Sequence, residues 1–244
     1  MNRKVVIIPT YNEKENIEDI VRYVFKLYDD FHILIIDDGS PDGTADIVKT
    51  LQKEYPQRLH IIERQGKLGL GTAYITGFKW SLDKDYDYIC EMDADFSHNP
   101  KDLKKLIQAC EEGAELAIGS RYVKGVNVVN WPMSRVLLSY FASKYVRLIT
   151  GMPIHDTTAG FACYTKTALK TLDLDLIKFV GYAFQIEMKF SIWQLGLTLK
   201  EIPIVFTDRE KGASKMSGGI IKEAVFGVIS MKIRSFFKSY KRKG

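Results

Sequence analysis

Short apolar runs rich in β-branched residues alternate with segments of helical periodicity along the first half of the chain. The first run spans residues 5–8 and ends at Pro9, and the second spans residues 32–36. Between them, apolar residues recur at helical spacing over residues 17–27, after Asn12, which can cap a helix. This alternation predicts a mostly parallel central sheet covered by helices on both faces, a Rossmann-like three-layer α/β/α fold.

The same rhythm continues to residue 118 and then becomes less regular. The pattern predicts strands over residues 59–62, 88–92, 116–118 and 199–206, and helices over 44–51, after Gly71, after Pro100, and over 134–148 and 182–195. There is no internal repeat and no low-complexity linker. We therefore predict one compact catalytic domain over residues 1–219, followed by an amphipathic helix and basic tail over residues 220–244.

Composition excludes two broad classes of protein. Of the 244 residues, 46% are hydrophobic and 12% aromatic, enough to fill a core, so the body is not disordered. The longest uncharged stretch is residues 68–78, well below the roughly 18 apolar residues of a spanning helix, so no transmembrane helix is expected.

The N-terminus lacks the pattern of a secretory leader, which predicts a cytoplasmic protein. Cys90, Cys110 and Cys163 show no metal-ligand spacing and are expected to be buried hydrophobes.

The net charge of +5 is unevenly distributed. Six basic residues follow the last acidic residue, Glu223, and the rest of the chain carries 29 bases against 30 acids. A near-neutral body has no broad basic face, so nucleic acid is not an expected partner. Apolar residues recur at helical spacing over residues 220–237, and two interpretations stay open. The helix lies in the headgroup region of a membrane, or it packs on the protein's own core and precedes a solvated tail.

Two strand-end loops carry side chains suited to a nucleoside. The first covers residues 9–13 and the second residues 37–44. Ligands of parallel α/β sheets bind outside the carboxyl ends of the strands, where a carboxylate can accept hydrogen bonds from ribose and a tyrosine ring can stack on a base. Taken singly, Asp-Gly dipeptides are ordinary turns and Asn12 an ordinary cap.

A third strand-end loop contains Asp93-Ala94-Asp95. Two carboxylates separated by one small residue can point at the same hard divalent cation, while the alternative is a solvated acidic turn before the helix after Pro100. The glycines of residues 66–71 have neither the dinucleotide nor the P-loop spacing. They either let the following helix pack closely or bring its N-terminus near a phosphate.

With these loops, the sequence resembles the family 2 glycosyltransferases of the GT-A fold, and within them the dolichol-phosphate or polyprenyl-phosphate mannosyltransferases. The resemblance implies an inverting transfer of mannose from GDP-mannose to a polyprenyl phosphate, with Mg²⁺ or Mn²⁺ as cofactor. The shared motifs cover nearly the whole chain in order: PTYNE (9–13), IIDDGSPDGT (35–44), KLGLGTAYITG (67–77), MDADFSHNP (92–100), GSRY (119–122), GYAFQIEM (181–188) and DREKGASKMSGG (208–219).

The resemblance also implies roles for individual residues. Those on the donor nucleoside are Pro9, Tyr11, Glu13, Ile36 and Asp38. Those on the diphosphate and its cation are Asp93, Ala94 and Asp95, with Ser97 beside the metal.

The acceptor phosphate is expected on Arg121 and Arg135. Asp95, Arg121 and Arg135 are thus the predicted catalytic residues. Arg209 and Lys215 match a basic pair on a mobile loop that closes over the donor phosphates. Where relatives carry a basic residue, this chain has Ala162, so a charged contact near the acceptor is expected to be missing.

Asp156 is a further candidate, either orienting acceptor or sugar hydroxyls or capping a helix.

The predicted chemistry needs no general base. A lipid phosphate is already anionic near neutral pH, since a phosphate monoester has its second pKa near about 6. Consistent with this, the four histidines stand apart in the sequence without a carboxylate partner and are expected to be structural; they are His32, His60, His98 and His155.

Other functions stay open. One alternative is an enzyme of the same fold that uses UDP-glucose or another nucleotide sugar as donor. A second is an enzyme with a non-lipid acceptor in cell-surface polysaccharide synthesis. A third is a non-catalytic subunit that binds a nucleotide. A lipid acceptor predicts peripheral attachment to the cytoplasmic face of a membrane through the C-terminal helix and tail. A membrane-embedded anchor protein is a possible partner.

Overall fold

The computed structural model of the protein describes residues 2–208 and 219–242, with the side chains of the last helix described from residue 225 onward. Besides the strands and longer helices given next, two one-turn helices occur, at Pro100–Asp102 and Leu174–Leu176. The strands are β1 (Lys4–Thr10), β2 (Phe31–Asp37), β3 (Leu59–Glu63), β4 (Tyr88–Glu91), β5 (Leu116–Ser120), β6 (Val128–Val129), β7 (Ala162–Thr165), β8 (Leu199–Pro203) and β9 (Phe206–Thr207). The helices are α1 (Ile17–Leu27), α2 (Thr44–Glu54), α3 (Leu70–Asp83), α4 (Leu103–Glu111), α5 (Met133–Thr150), α6 (Lys166–Thr171), α7 (Ala183–Gln194) and α8 (Gly219–Ser235).

The central sheet has seven strands in the order β3-β2-β1-β4-β7-β5-β8. Six strands run parallel, and β7 lies antiparallel between β4 and β5, with Cys163 opposite both Cys90 and Ala117. The predicted mostly parallel sheet is therefore confirmed, and the strand that interrupts it was not predicted. A second, two-stranded sheet pairs β6 with β9.

Helices cover both faces of the sheet because β1 and β2 are apolar on both sides. Val5 and Ile7 belong to the core beneath α3, α6 and α7, whereas Val6 and Ile8 belong to the core beneath α1, α2 and α4. Successive strand residues point to opposite faces, so a continuous apolar run supplies two cores. This is the predicted three-layer arrangement.

Three local predictions need correction. Asn12 does not cap α1; it has φ 56°, and α1 begins at Ile17 after Asn16. The predicted strand over residues 199–206 is interrupted at residues 204–205, and its two parts, β8 and β9, belong to different sheets. The histidines do not all stand apart, since His32 and His60 face each other across β2 and β3, with Nδ1 and Nε2 3.4 Å apart.

Gly71, the second residue of α3, serves close packing. A Cβ on Gly71 would lie 2.6 Å from the carbonyl oxygen of Phe179 and 2.8 Å from the ring of Phe184. Such distances leave no room for a side chain, so the glycine is required where α3 meets α7 and the segment before it. The three cysteines are free and buried, as expected.

Helix α8 packs against α5 and α7. Val228 and Met231 are buried in the core that α7 shares, and Tyr145 donates from its hydroxyl to the carbonyl oxygen of Val225. After α8 the chain returns to the body, where Lys241 forms a β-bridge with Leu172. The interpretation in which this helix packs on its own core is therefore confirmed for one face. Among the described residues, no helix is long and apolar enough to cross a bilayer.

Candidate active site

A cavity of about 400 Å³ opens at the carboxyl ends of β4 and β5. Its floor is polar, and its outer wall is formed by apolar residues of α5 and the first described turn of α8. Five of the predicted site residues meet here, although they come from three segments far apart in sequence. They are Asp93, Asp95, Ser97, Arg121 and Arg135.

The Asp93-Ala94-Asp95 loop leaves the buried end of β4. Asp95 is 7% exposed, and its Oδ1 accepts a hydrogen bond from the backbone N–H of Ser97 at 3.0 Å. Ala94 is buried in the core, so only its backbone can contact a ligand. Asp93 is more exposed, and its Oδ2 lies 3.8 Å from His98 Nδ1. The loop thus turns two carboxylates and one hydroxyl toward one cavity.

His98 was expected to be structural, without a carboxylate nearby, and the structure corrects the second part. Its ring stacks on Phe161 at 4.9 Å and borders the cavity beside Asp93. Burial lowers the pKa of His98 to about 4, so the imidazole is neutral at physiological pH. His155 likewise has a partner, with Nδ1 2.8 Å from Glu201 Oε2 on β8.

Arg121 directly follows β5 and is held in a buried ion pair. Its Nε and Nη2 donate to the two carboxylate oxygens of Asp156 at 2.7 and 2.6 Å, and its backbone N–H donates to the same carboxylate. Burial alone would raise the pKa of Asp156, but the charge and hydrogen bonds of Arg121 outweigh it and hold that pKa below its usual range. Asp156 is 0% exposed. The structure shows Asp156 positioning Arg121 and does not place it at a helix end, so the helix-cap alternative is wrong, whereas contact with acceptor or sugar hydroxyls stays a prediction.

An aromatic box surrounds the two arginines. The Arg135 guanidinium lies 4.1 Å above the ring of Trp131, and the Arg121 guanidinium is 5.4 Å from the same ring and 5.7 Å from that of Phe206. Arg135 Nη1 donates to Asp208 Oδ1 at 2.9 Å. The aromatic faces orient both cations and keep them partly desolvated, which strengthens their interaction with an anion.

The residues predicted for the nucleoside lie at the ends of β1 and β2, outside this cavity. Tyr11 has the Lys67 ammonium 5.1 Å from its ring centre. Asp38 is buried and accepts from Arg64 Nε at 2.6 Å. The side chain of Ile36 is fully buried in the core, so it can offer a ligand only its backbone.

The other two predicted nucleoside residues lie beside Tyr11. Pro9 pairs in register with Ile36, and the Glu13 side chain accepts from Asn16 Nδ2 at 3.1 Å. Arg209 and Lys215 lie outside the described residues.

Ala162 occupies a core position of β7, directly opposite Glu91 of β4. A basic residue at this position would face that buried carboxylate. In this chain a cation reaches Glu91 from another element, since Lys189 of α7 is its main electrostatic partner.

Several cavity residues were not predicted. Gln185 lies in the GYAFQIEM motif (181–188) shared with the family, but the sequence offers no reason to assign a binding or catalytic role to any residue of that motif. Trp131 precedes a proline in a loop whose position relative to β5 only the fold defines. The unpredicted lining residues include His98, Trp131, Thr158, Gly160, Tyr182, Gln185 and Phe206.

Residues 5–173 match the family model described as Glycosyl transferase family 2. This chain belongs to glycosyl transferase family 2. A polyprenol monophosphomannose synthase of Mycolicibacterium smegmatis is 47% identical over 232 residues, which cover 95% of this chain and 88% of that protein. An undecaprenyl-phosphate mannosyltransferase of Micrococcus luteus is 45% identical over 226 residues, covering 93% of this chain and 92% of that protein. Membership in this family makes the protein a glycosyltransferase.

Solved structures with the same fold include glucosyl-3-phosphoglycerate synthase from Mycobacterium tuberculosis in complex with Mn²⁺, UDP and glucosyl-3-phosphoglycerate. It superposes with a TM-score of 0.67 at 16% identity, covering 96% of this chain and 80% of that one. This family 2 enzyme therefore has the predicted GT-A fold.

Proposed function

We propose that this family 2 enzyme transfers mannose from GDP-mannose to a polyprenyl phosphate, with inversion at the anomeric carbon. Both mannosyltransferase relatives act on polyprenyl lipids by name and align with nearly the whole chain. The observation that carries the proposal is the composition of the cavity. Paired carboxylates and paired arginines share its floor, and an apolar wall leads from them to the outside.

The donor diphosphate would lie against Asp93, Asp95 and Ser97, which are suited to hold a divalent cation. Their ligand atoms are all oxygen, the donor type that Mg²⁺ and Mn²⁺ prefer. No group of three or more His, Cys, Asp or Glu side chains converges within the described part of the chain, so donor phosphate oxygens would complete the coordination. When bound, the cation neutralises charge on the departing nucleoside diphosphate. Complexes of the fold neighbour with Mn²⁺ and UDP agree with such a site.

The acceptor phosphate would bind Arg121 and Arg135. Arg121 is fixed by Asp156, and Arg135 lies on the first turn of α5, so the two guanidinium groups border the same polar floor. Arg121 donates from Nε and Nη2 to Asp156 and Thr158, so it would offer the phosphate its Nη1 group. A charge-assisted hydrogen bond of this kind is about twice as strong as a neutral one. The bound phosphate oxygen would attack the anomeric carbon directly, without a base, because it is already ionised. A single in-line displacement inverts the configuration.

The lipid chain would leave along the apolar wall. Leu138, Phe141 and Ala142 of α5 line it, together with Tyr145 and Val225. Leu138 and Phe141 are about half exposed although they are large apolar residues. A soluble phosphorylated acceptor would gain nothing from this wall, whereas an isoprenoid chain would bury it.

The nucleoside would bind beside the cavity, on Pro9, Tyr11, Glu13, Ile36 and Asp38. Arg209 and Lys215, which follow Asp208 in sequence, would close over the phosphates. The proximity of Asp208 to Arg135 supports this, since it brings the start of that segment to the cavity.

A lipid acceptor would place the enzyme at a membrane surface. We infer that the enzyme binds peripherally to the cytoplasmic face of a membrane through exposed apolar residues of α5 and α8, directly or with an embedded anchor protein. These residues include Met133, Leu137, Leu148, Phe226 and Ile233, and Phe236 and Phe237 follow the end of α8.

The proposal is tested by incubating the purified protein with radiolabelled nucleotide sugars, short polyprenyl phosphates and Mg²⁺ or Mn²⁺. We expect label to enter the organic phase only with GDP-mannose and a polyprenyl phosphate, and EDTA to abolish it. Transfer from UDP-glucose instead would contradict the proposed donor. Label that stays in the aqueous phase on a soluble acceptor would contradict the proposed lipid.

A further inference from the structure

A buried polar network lies beneath the floor of the cavity, built from Glu91 on β4 and from Gln185 and Lys189 on α7. All three residues are at most 2% exposed. Gln185 Nε2 donates to Glu91 Oε2 at 2.9 Å, and Lys189 Nζ donates to Gln185 Oε1 at 3.1 Å. Burial of an amide between an ammonium group and a carboxyl group is costly unless the amide orientation satisfies both neighbours.

This network fixes which end of the Gln185 amide faces which neighbour. Lys189 Nζ directs its hydrogens at three acceptors: Ala159 O at 2.6 Å, Gln185 O at 3.0 Å and Gln185 Oε1. An ammonium group only donates, so the amide oxygen must lie toward Lys189 and the amide nitrogen toward Glu91. The Nε2 group carries two hydrogens, and Glu91 accepts one of them.

The space next to Nε2 belongs to the cavity. An ideal Cβ on Gly160 would have Gln185 Nε2 and His98 Cε1 as its nearest neighbours, each 4.0 Å away. The missing side chain of Gly160 therefore leaves an opening between the amide nitrogen and the imidazole ring. Asp95 and Arg121 line the same cavity as Gly160, His98 and Gln185, so this opening shares that cavity with the proposed cation site and the proposed acceptor site.

A transferred sugar must occupy the region between the leaving diphosphate and the attacking phosphate. We propose that Gln185 is a specificity-determining residue whose Nε2 donates a hydrogen bond to one hydroxyl of the transferred hexose, in the opening above Gly160. Glu91 and Lys189 are positioning residues, since they hold the amide and do not themselves touch the sugar. This inference rests on the proposed glycosyl transfer and adds the contact that recognises the sugar.

The test combines a substitution in the protein with removal of single hydroxyls from the donor. Gln185→Met keeps the approximate volume of the side chain and removes the donor. With the parent donor, we expect kcat/KM to fall about tenfold, the effect of one neutral hydrogen bond. With wild-type enzyme, one monodeoxy donor of the 2-, 3-, 4- and 6-deoxy series should show a similar loss. For that donor, Gln185→Met should cause no further loss, because the contact is already absent.

Gly160→Ala is an independent variant that does not disturb the buried network. The added methyl group meets no atom closer than 4.0 Å, so the protein should fold as wild type by thermal melting. It narrows the opening, and we expect weaker binding of the nucleotide sugar with unchanged binding of the nucleoside diphosphate alone. If Gly160→Ala bound the nucleotide sugar as tightly as wild type does, or lost the same affinity for both ligands, the proposal would be overturned.

The proposal would also be overturned if Gln185→Met lowered kcat/KM by the same factor with each of the four deoxy donors as with the parent donor. Such a result would show that Gln185 contacts none of these hydroxyls. The proposed function is tested separately by transfer with wild-type enzyme. If wild type used a different nucleotide sugar, the deoxy series of that sugar would apply, and the proposal for Gln185 would stand or fall on the same comparison.

Discussion

The two arginines of the cavity floor differ in what holds them. Arg121 is 8% exposed and bonded to a fully buried carboxylate, while the Arg135 side chain is 28% exposed and pairs with Asp208, which is itself partly exposed. Removing one partner of a buried pair leaves an uncompensated charge, which costs far more than breaking a pair at the surface. The two residues therefore contribute differently to stability, even if both bind the acceptor phosphate.

We expect Arg121→Ala to lower the free energy of unfolding by about 3 to 5 kcal/mol, because it leaves the buried Asp156 carboxylate without a compensating charge. Arg135→Ala should change it by less than about 0.5 kcal/mol and raise KM for polyprenyl phosphate about tenfold or more. Urea unfolding and steady-state kinetics measure the two effects. Equal stability of the two variants would show that the buried pair contributes little, and an unchanged KM in Arg135→Ala would remove that residue from the acceptor site.

Asp95 is expected to act on the donor alone. Asp95→Asn preserves the shape of the side chain and the acceptor for the Ser97 N–H but removes a charge from the proposed cation site. Since a bound cation stabilises developing charge by several kcal/mol, we expect turnover to fall at least about a hundredfold, with loss of Mn²⁺-dependent donor binding measured by calorimetry. Asp46→Asn, an exposed acid on α2, is the matched control. Turnover within a few fold of wild type would refute a cation on Asp95.

The sequence predicted which residues line the floor better than it predicted what they bond to. Asp93, Asp95 and Arg121 directly follow β4 and β5, and position after a strand is visible in the apolar pattern. The bond between Arg121 and Asp156 joins residues 35 positions apart and depends on where an irregular segment returns to the sheet. No local pattern encodes that return, so Asp156 could be read only as a candidate ligand or a helix cap.

At the scale of elements, the contact between α3 and α7 depends on a missing side chain. Gly71→Ala would place a methyl group 2.6 Å from a backbone oxygen that cannot move freely. We expect a loss of about 1 to 3 kcal/mol in the free energy of unfolding, the usual cost of overpacking. Gly181→Ala is the matched control, because a Cβ there meets nothing within 4 Å. Unaltered stability of Gly71→Ala would indicate that α3 and α7 can separate without cost.

The edge formed by β2 and β3 should be sensitive to acid. Burial, followed by the charge of His60, Arg3 and Arg58, lowers the pKa of His32 to about 4. Burial, together with Lys84 and Arg3, also lowers the pKa of His60. The unfolded chain therefore binds protons that the folded one does not, and stability falls as pH decreases from about 6.5 toward 4.

Replacing His32 should reduce this dependence. We expect the urea midpoint of wild type to drop more steeply between pH 6.5 and 4.5 than that of His32→Gln, which loses the neutral imidazole and keeps a polar partner for the Tyr86 hydroxyl. The half-exposed His155, which pairs with Glu201, provides the control variant His155→Gln. Parallel curves for wild type and His32→Gln would show that the β2–β3 edge does not titrate in this range.

Strand β7 shows why the sheet order could not be derived from the sequence. The segment Ala162–Thr165 is four residues long, contains one β-branched residue and follows a Gly/Thr-rich stretch, so it carries a weak strand signal. It inserts between β4 and β5, two strands that both come earlier in the chain. Periodicity identifies strands but not their neighbours, and an antiparallel insertion of this kind leaves no mark on the flanking helices.

At the scale of the whole molecule, exposed apolar side chains concentrate on α5, on α8 and just after the end of α8, next to the cavity. Phe226, Phe236 and Phe237 are each more than 70% exposed. The six C-terminal bases do not all join this surface, which corrects the simple picture of a basic tail. Lys232 donates to the carbonyl oxygen of Thr150, and Arg234 pairs with the buried Glu187.

Of the six bases, Lys238, Lys241 and Arg242 are described and exposed, and they lie between the end of α8 and residue 242. Each base near an anionic leaflet contributes on the order of 1 kcal/mol, whereas apolar burial contributes independently of salt. The two components of membrane binding can therefore be separated by ionic strength.

We expect the triple change of Lys238, Lys241 and Arg242 to Gln to weaken binding to vesicles containing phosphatidylglycerol at 50 mM salt, and to have little effect at 500 mM. Changing Phe236 and Phe237 to Ser should weaken binding at both salt concentrations, because it removes apolar area rather than charge. Lys53, Lys104 and Lys105, exposed on α2 and α4 across the sheet, form a charge-matched control triple. Sedimentation with vesicles measures all three. If the control triple weakened binding as much as the C-terminal one, attachment would depend on net charge alone, and the orientation that presents the cavity to the membrane would lose its support.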